Sequence, residues 1–269
     1  MLKILSDWIL NATKDLSADD MRIEGSWLLN LNYQPFIGER LFEYDVALVQ
    51  VKATGAAYSA YDSLKKSDLN SLVGNDARKM ITDEYTPVNI ALLDAMFASL
   101  SPKADEEFLI SGDDKASQRA DIICNEVQNM CRKKQLPECP KVVNVGAIGC
   151  IIEKLSNQNM IVTASDLDEN IIGKELCGVM ISDGIHTDKM VAEADLAVIT
   201  GMTISNGSLP AILEVARKNN TKVMMVSETG SGFGRAYCDL FDIDVVVSEP
   251  YPFYIFKCYS EIKIYRKGN

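Results

Sequence analysis

Glycines and short polar residues gather behind apolar runs in the second half of this chain, in positions where they could hold a small ligand. Gly146 and Gly149 lie in KVVNVGAIGC (Lys141–Cys150), which reads as a buried strand over Val142–Val145 turning into a helix from about Ile148. A glycine turn at a strand's carboxyl end lets a ligand approach backbone N–H groups and a helix N-terminus. The spacing is GxxG and lacks the third glycine of the dinucleotide fingerprint, so glycines that merely permit a tight strand-to-helix turn satisfy it equally well. Asp166 stands twenty positions beyond Gly146, behind the next apolar run. A carboxylate there can accept from the two hydroxyls of a ribose, or it and Asp168 can cap a helix instead.

Two further segments carry the same character. Thr200 to Ser208, TGMTISNGS, supplies four hydroxyls, one carboxamide and two glycines just before a helix. Its candidate ligand contacts are Thr200, Gly201, Thr203, Asn206 and Gly207; the plain reading is a well-capped loop with Ser208 as cap and Pro210 in the first turn. Ser227 to Gly234, SETGSGFG, follows the fifth strand, and its three alternating glycines would expose amides to an anionic or carboxylate group. Glu228 and Gly230 are its candidates, against the reading of a plain surface loop.

Other chemistry is thinly represented. The one histidine, His186, has the right titration range for acid/base work or metal ligation, but it lies in a polar loop where a solvated side chain is the ordinary outcome. Seven cysteines occur without a CxxC pair; Cys124 and Cys131 share one helix face and Cys139 follows, so buried apolar cysteine is the default. No GxSxG elbow, P-loop or HExxH occurs, and no nucleophile stands with its base. The sequence therefore names no catalytic residue, and whether the protein is an enzyme stays open.

The elements that must position these residues alternate after Lys141. Strands are predicted at Val142–Val145, Met160–Ala164, Gly178–Ile181, Leu196–Thr200, Lys222–Val226 and Val245–Ser248. Helices are predicted between them, notably Thr187–Ala194, Ser208–Lys218 and Phe233–Phe241. That order argues for a parallel Rossmann-like sheet covered on both sides. The first half reads differently. An amphipathic helix covers residues 1 to about 16, extended segments occupy Met21–Leu31 and Asp45–Ala53, and a loop over Asn32–Glu43 joins them through Tyr33, Pro35 and Gly38. Gly55-Ala56-Ala57 would allow close backbone contact with a neighbour or ligand. Short helical pieces follow at Asp68–Val73 and Ala77–Ile81. A stronger helix over Thr86–Leu100 has Thr86 as N-cap, Pro87 in its first turn and an apolar stripe through Val88, Ala91, Leu92, Ala95, Met96 and Leu100. The helix Asp114–Lys134 turns Ala120, Ile123, Val127 and Met130 inward, and Pro137 and Pro140 stop it. The expected organisation is α/β: a smaller α+β domain over 1–139 and a Rossmann-like domain over 140–269.

Composition narrows the partners. With 269 residues, 47% hydrophobic and 24% charged, the chain is globular and can bury a sizeable core. A net charge of −11 at pH 7 argues against nucleic acid as the partner, since phosphate binding needs clustered Lys and Arg. No run approaches the roughly 18 apolar residues of a membrane span. Asp7 interrupts the N-terminal apolar stretch, which is therefore not read as a secretory signal. The unpaired cysteine usage fits a reducing cytoplasm, so no membrane partner and a cytosolic location are expected. A homo-oligomer such as a dimer is left open.

VGAIG after a strand, together with EADLAVITGMTISNGSLPAILEVAR, resembles the putative heavy-metal chelation family, whose members carry a VG-x-x-G turn and a TG-x-T-x-x-N-G segment. DVALVQVKATGAAYSAY and TPVNIALLDAMFASL are similar, more loosely, to a strand segment and an Asn- and Ala-bearing helix in the domain usually fused in front. The resemblance implies an enolase-N-terminal-like domain packed on a Rossmann-like domain with a site in the cleft between them. Gly146, Gly149, Thr200, Gly201, Thr203, Asn206 and Gly207 would line it. The chain departs from the family where members usually have Gly-Pro-Ser/Thr, carrying Glu228-Thr229-Gly230-Ser231-Gly232 instead. Three functions follow as expectations. The first is a small-ligand-binding protein or enzyme with its site in that cleft and a link to metal chelation, a divalent metal being a candidate cofactor. The second is an enzyme using S-adenosylmethionine or another nucleoside, with Asp166 on the ribose and Gly146–Gly149 against the polar tail. The third is an interaction protein for which the Rossmann-like half is scaffold.

Overall fold

The computed structural model describes residues 1–33, 42–60, 64, 69, 71–252 and 258–268. In chain order the elements are α1 (Leu2–Ala12), β1 (Gly25–Tyr33), β2 (Phe42–Gln50), β3 (Thr54–Ala60), α2 (Pro87–Ser99), β4 (Glu106–Ile110), α3 (Lys115–Lys133) and β5 (Lys141–Val145). They continue with α4 (Gly149–Ser156), β6 (Ile161–Asp166), β7 (Glu175–Leu176), β8 (Val179–Asp183), α5 (Thr187–Glu193), β9 (Leu196–Thr200) and α6 (Met202–Ser205). The last are α7 (Leu209–Asn219), β10 (Lys222–Ser227), α8 (Gly234–Phe241), β11 (Val245–Ser248) and β12 (Ser260–Arg266).

Two sheets form. The smaller is antiparallel in the order β1-β2-β3; the larger has nine strands in the order β4-β12-β11-β10-β9-β5-β6-β8-β7. Its six central strands, β11-β10-β9-β5-β6-β8, are parallel. Numbered along the chain from β5 they run 6-5-4-1-2-3, the doubly wound order whose direction reverses between β5 and β9. Alternate residues of these strands enter different cores. Val143, Val145, Ala197, Ile199 and Met225 face the side of α2, α7 and α8, whereas Val142, Val198, Met224 and Val226 face α3 and α4. Burial on both faces is why LAVIT and KVMMV read as unbroken apolar runs.

The helix α2 is capped as its sequence dictates, with Thr86 Oγ1 accepting from Asn89 N at 3.2 Å and Pro87 in the first turn. Its burial exceeds a stripe: every residue from Asn89 to Phe97 is buried. The small sheet and α1 cover one side, and the turn at Ser231–Phe233 and α6 cover another. Gly55 makes the sheet contact possible, because a Cβ there would stand 2.1 Å from Ala95 N and 2.2 Å from Ala91 O. The small-residue run at Gly55 thus meets a neighbouring helix backbone.

Four strands depart from expectation. β3 occupies the small-residue run itself, β7 adds a short antiparallel edge to β8, β12 pairs antiparallel with β11, and β4 pairs antiparallel with β12. The division expected at residue 139 falls within the layers of the large sheet, since β4 and α3 precede it and pack there. On sheet membership the change of unit comes between α2 and β4, and Pro137 and Pro140 mark only the loop from α3 into β5. The loop expected over Asn32–Glu43 lies mostly outside the described residues, as does part of the piece at Asp68–Val73, whose last residues form turns. Among the described residues no helix is long and apolar enough to cross a membrane.

Candidate functional site

The reversal between β5 and β9 places Gly146 against Thr200. Gly146 has φ +79°, and a Cβ on it would stand 2.6 Å from Thr200 Oγ1, so only glycine fits both the backbone and the space. The amides of this turn are already engaged. Gly146 N donates to Ser165 O at 2.9 Å, Ala147 N to Asp166 Oδ2 at 2.8 Å and Ile148 N to Asn144 Oδ1 at 2.9 Å. Asp166 Oδ1 also accepts from Asp168 N at 2.9 Å. A ribose at Asp166 would compete with these bonds, and a phosphate on the turn would have to displace the chain's own acceptors. Gly149 opens α4 beside the Leu176 side chain, 3.6 Å from where its Cβ would be.

The segment after β9 divides between cleft and cap. Gly201 is buried and its N–H donates to Val226 O at 2.8 Å, while Thr203 Oγ1 donates back to Thr200 O at 2.7 Å. Asn206 Oδ1 accepts from Ser208 N at 3.0 Å and Ser208 Oγ at 2.7 Å, and Gly207 takes φ +76°. Thr203, Asn206 and Gly207 therefore build the entry to α7. Met202, on the same short helix, packs with Tyr251 against Val46, Leu48, Ala56 and Tyr58 on the outer face of the small sheet.

The segment after β10 binds an anion, as its glycines suggest, but the anion belongs to the chain. Gly232 N donates to Asp94 Oδ1 at 2.6 Å, and Ala56 N donates to Asp94 Oδ2 at 2.8 Å. Gly230 N donates to Ala56 O at 3.1 Å, and Tyr58 N donates to Thr229 Oγ1 at 3.0 Å. The open edge of β3 is thus stitched to this segment, with Asp94 as the shared acceptor. Asp94 is wholly buried, and loss of hydration pushes its carboxyl up to about 7 against the pull of its two N–H donors. Burial also raises the phenol of Tyr237 well above its ordinary range, with nearby Asp94 adding to the effect.

Glu228 turns the other way, into a buried charge cluster. It pairs with Arg119, whose Nε also contacts Glu249 Oε2 at 2.8 Å. Ser260 Oγ donates to Glu249, and Lys115 Nζ donates to Cys258 O at 2.7 Å. The cluster ties α3 to the carboxyl ends of β10 and β11.

Of the residues expected to line one site, the structure brings Gly146, Thr200, Gly201 and the Thr229–Gly230 segment together. Gly149 and Asp166 stand on the far flank of the turn. Asn144, Asp94, Arg119 and Glu249 were not expected. Asn144 and Asp94 carried a signal, each a lone polar residue inside an apolar run, VVNV and IALLDAMF.

The donor set of the described residues does not fit a metal centre. Among the described residues no three of His, Cys, Asp and Glu converge on a point that could hold an ion. The oxygens of Thr203 and Asn206 serve the chain's own hydrogen bonds, and Glu228 is paired with Arg119. Cys124 is buried in the α3–α4 core, where desolvation holds its thiol at about 12. Two cavities open at the opposite, amino edge of the sheet. One, of about 410 Å³, includes Gln128, Cys131, Pro140 and Met160; the other, of about 180 Å³, includes Lys134, Lys222 and Asp244. Neither touches the strand reversal, the place where ligands bind in sheets of this order.

Residues 134–225 match the model of a family described as putative heavy-metal chelation, DUF364, and that span holds both VGAIG and TGMTISNG. No curated protein matches the chain. A solved protein of unknown function from the DUF364 family of Desulfitobacterium hafniense DCB-2 is similar at 11% identity and TM-score 0.62, over 99% of this chain and 98% of that one. A second DUF364 protein of unknown function, from Pyrococcus horikoshii, is similar at 12% identity and TM-score 0.55, over 92% and 86% of the two chains. Likeness at such identities speaks for the fold alone. Residues 134–225 of this chain therefore carry the sequence pattern of the putative heavy-metal chelation family, and its fold is shared with two solved proteins of that family.

Proposed function

We propose that this protein holds a small polar ligand, itself a metal chelator or a metal–chelator complex, between the carboxyl edge of the large sheet and the outer face of the small one. The observation that carries this reading is the strand reversal at Gly146 and Thr200, followed two residues later by Met202, which packs with Tyr251 on the outer face of the small sheet. The family description links its members with heavy-metal chelation, while the described side chains supply no ion-binding trio. A ligand that brings its own donor atoms reconciles the two. The protein then contributes shape, the Thr200 hydroxyl and the apolar surface of Met202 and Tyr251.

Thermal shifts against metals, chelators and their complexes test this. A ligand at 100 times its Kd adds about 2.7 kcal/mol to stability. The chelator or complex should shift melting where the bare divalent ion does not, and Thr200→Val should weaken that shift while leaving the fold intact. A shift by the bare ion alone, unaffected by Thr200→Val, would reject the reading. The alternative, S-adenosylmethionine or another nucleoside, asks Asp166 to serve a ribose while it braces Ala147 and Asp168. If Asp166→Ala leaves nucleoside affinity unchanged, that alternative fails.

A further inference from the structure

Two buried cations sit beside the carboxyl ends of β10 and β11, away from the strand reversal. Lys115 and Arg119 lie one helical turn apart at the start of α3, and each keeps only 2% of its surface exposed. Their described partners differ in how firmly they are held. Glu249, just past β11, is buried, accepts from Ser260 Oγ and meets Arg119 Nε at 2.8 Å. The main-chain oxygen of Cys258 takes Lys115 Nζ at 2.7 Å. Glu228, just past β10, also pairs with Arg119, and 16% of its side chain is exposed against 3% for Glu249.

We propose that Arg119, with Lys115 one turn away, is a binding site for the carboxylate of a small ligand, and that Glu228 fills it here as the chain's own occupant. The site is separate from the reading at Gly146 and Thr200 and does not rest on it.

Glu228 can leave without moving the backbone. On one side of it Glu249 N donates to Ser227 O at 3.0 Å, and on the other Tyr58 N donates to Thr229 Oγ1 at 3.0 Å. With both neighbours held, rotation of the Glu228 side chain is the smallest motion that uncovers the guanidinium. The space it vacates is the size of a carboxylate and opens where Glu228 already meets solvent.

Charge and shape select the ligand. With Glu228 in place the described cluster is balanced, Lys115 and Arg119 against Glu228 and Glu249. With Glu228 turned out, one positive charge is left buried, and removing one partner of a buried pair is strongly unfavourable. A monoanion restores the balance and a dianion exceeds it. Among monoanions, a carboxylate matches the planar fork of a guanidinium with two oxygens, which chloride cannot do.

Acetate is the probe, with sodium chloride at the same ionic strength as its control. Glu228→Ala should melt below the wild type, and acetate should recover most of that loss saturably where chloride does not. In the wild type acetate must displace Glu228. The Arg119 Nε–H resonance should therefore still move saturably, but at an acetate concentration about tenfold or more above that needed in Glu228→Ala. The wild-type titration stands by itself if Glu228→Ala does not fold. Inorganic phosphate should do less than acetate in both proteins. Equal recovery by chloride, a stronger effect of phosphate than of acetate, or a wild-type resonance that acetate leaves in place would overturn the site and make the cluster a structural tie.

Discussion

Asn144 shows how much a single buried side chain decides in this site. Inside β5 it has no exposed surface, donates from Nδ2 to Val198 O at 3.2 Å and accepts from Ile148 N at 2.9 Å. It fixes both the strand pairing at the reversal and the turn that follows. Asn144→Leu keeps the volume and leaves one buried and one half-buried backbone group without this partner, so urea unfolding should show a loss of about 1–3 kcal/mol. The Arg119 cluster invites a second test. Arg119→Met leaves Glu249 buried beside a neutral side chain, and about 3–5 kcal/mol should be lost. Both residues were hard to read in the sequence, for different reasons. Asn144 announces itself as a polar residue in an apolar strand, but its partner is fixed only once β9 lies alongside. Arg119 sits on a helix face whose burial depends on β12, more than a hundred positions away. Gly146 and Thr200 were legible because a glycine turn and a short hydroxyl at strand ends need only local context. Asp166 was legible as a position, and the structure assigns it to bracing the turn.

Elements with strong local signals formed as the sequence suggests. Thr86 and Pro87 begin α2, and Thr86→Ala should cost about 1 kcal/mol through the lost cap. Strand β12 shows a period-two pattern, with Ser260, Ile262 and Ile264 buried between Glu261 and Lys263, yet it is short and charged and reads easily as a tail. Strand β3 is harder still: TGAAYSA has little strand preference, and it is held by β2 on one edge and by the segment 228–232 on the other. Its most demanding position is Gly55. Gly55→Val would push a side chain into the α2 backbone, and the small sheet should detach or the protein fail to accumulate; unchanged melting would contradict the packing described. The buried carboxyl of α2 adds a pH signature. Because its pKa is raised on folding, its contribution favours the folded state below about pH 4 and is lost as pH rises to about 7. Relative to Asp94→Asn, the wild type should lose on the order of 4 kcal/mol across that window.

At the scale of the molecule, two sets of turn amides, one of them at the turn where doubly wound sheets hold a phosphate, are engaged from within. Asp166 and Asn144 occupy the one after β5, and Asp94 occupies the one after β10. The parallel, two-sided sheet was legible from the alternation of strands and helices, but its strand order and the filling of its cradles were not, because Asp94 comes from an element outside that alternation. What remains at the reversal is the Thr200 hydroxyl beside Gly146, with Met202 and Tyr251 packed on the small sheet next to it. That favours a ligand recognised by shape and by its own donors over one held by phosphate contacts. Electron density for the protein as purified, without added chelator or metal, tests this most directly. The account predicts a small chelating molecule between Gly146–Thr200 and Met202–Tyr251. A ligand found instead in the groove beside Gln128 and Met160, with only protein at Gly146–Thr200, would contradict it.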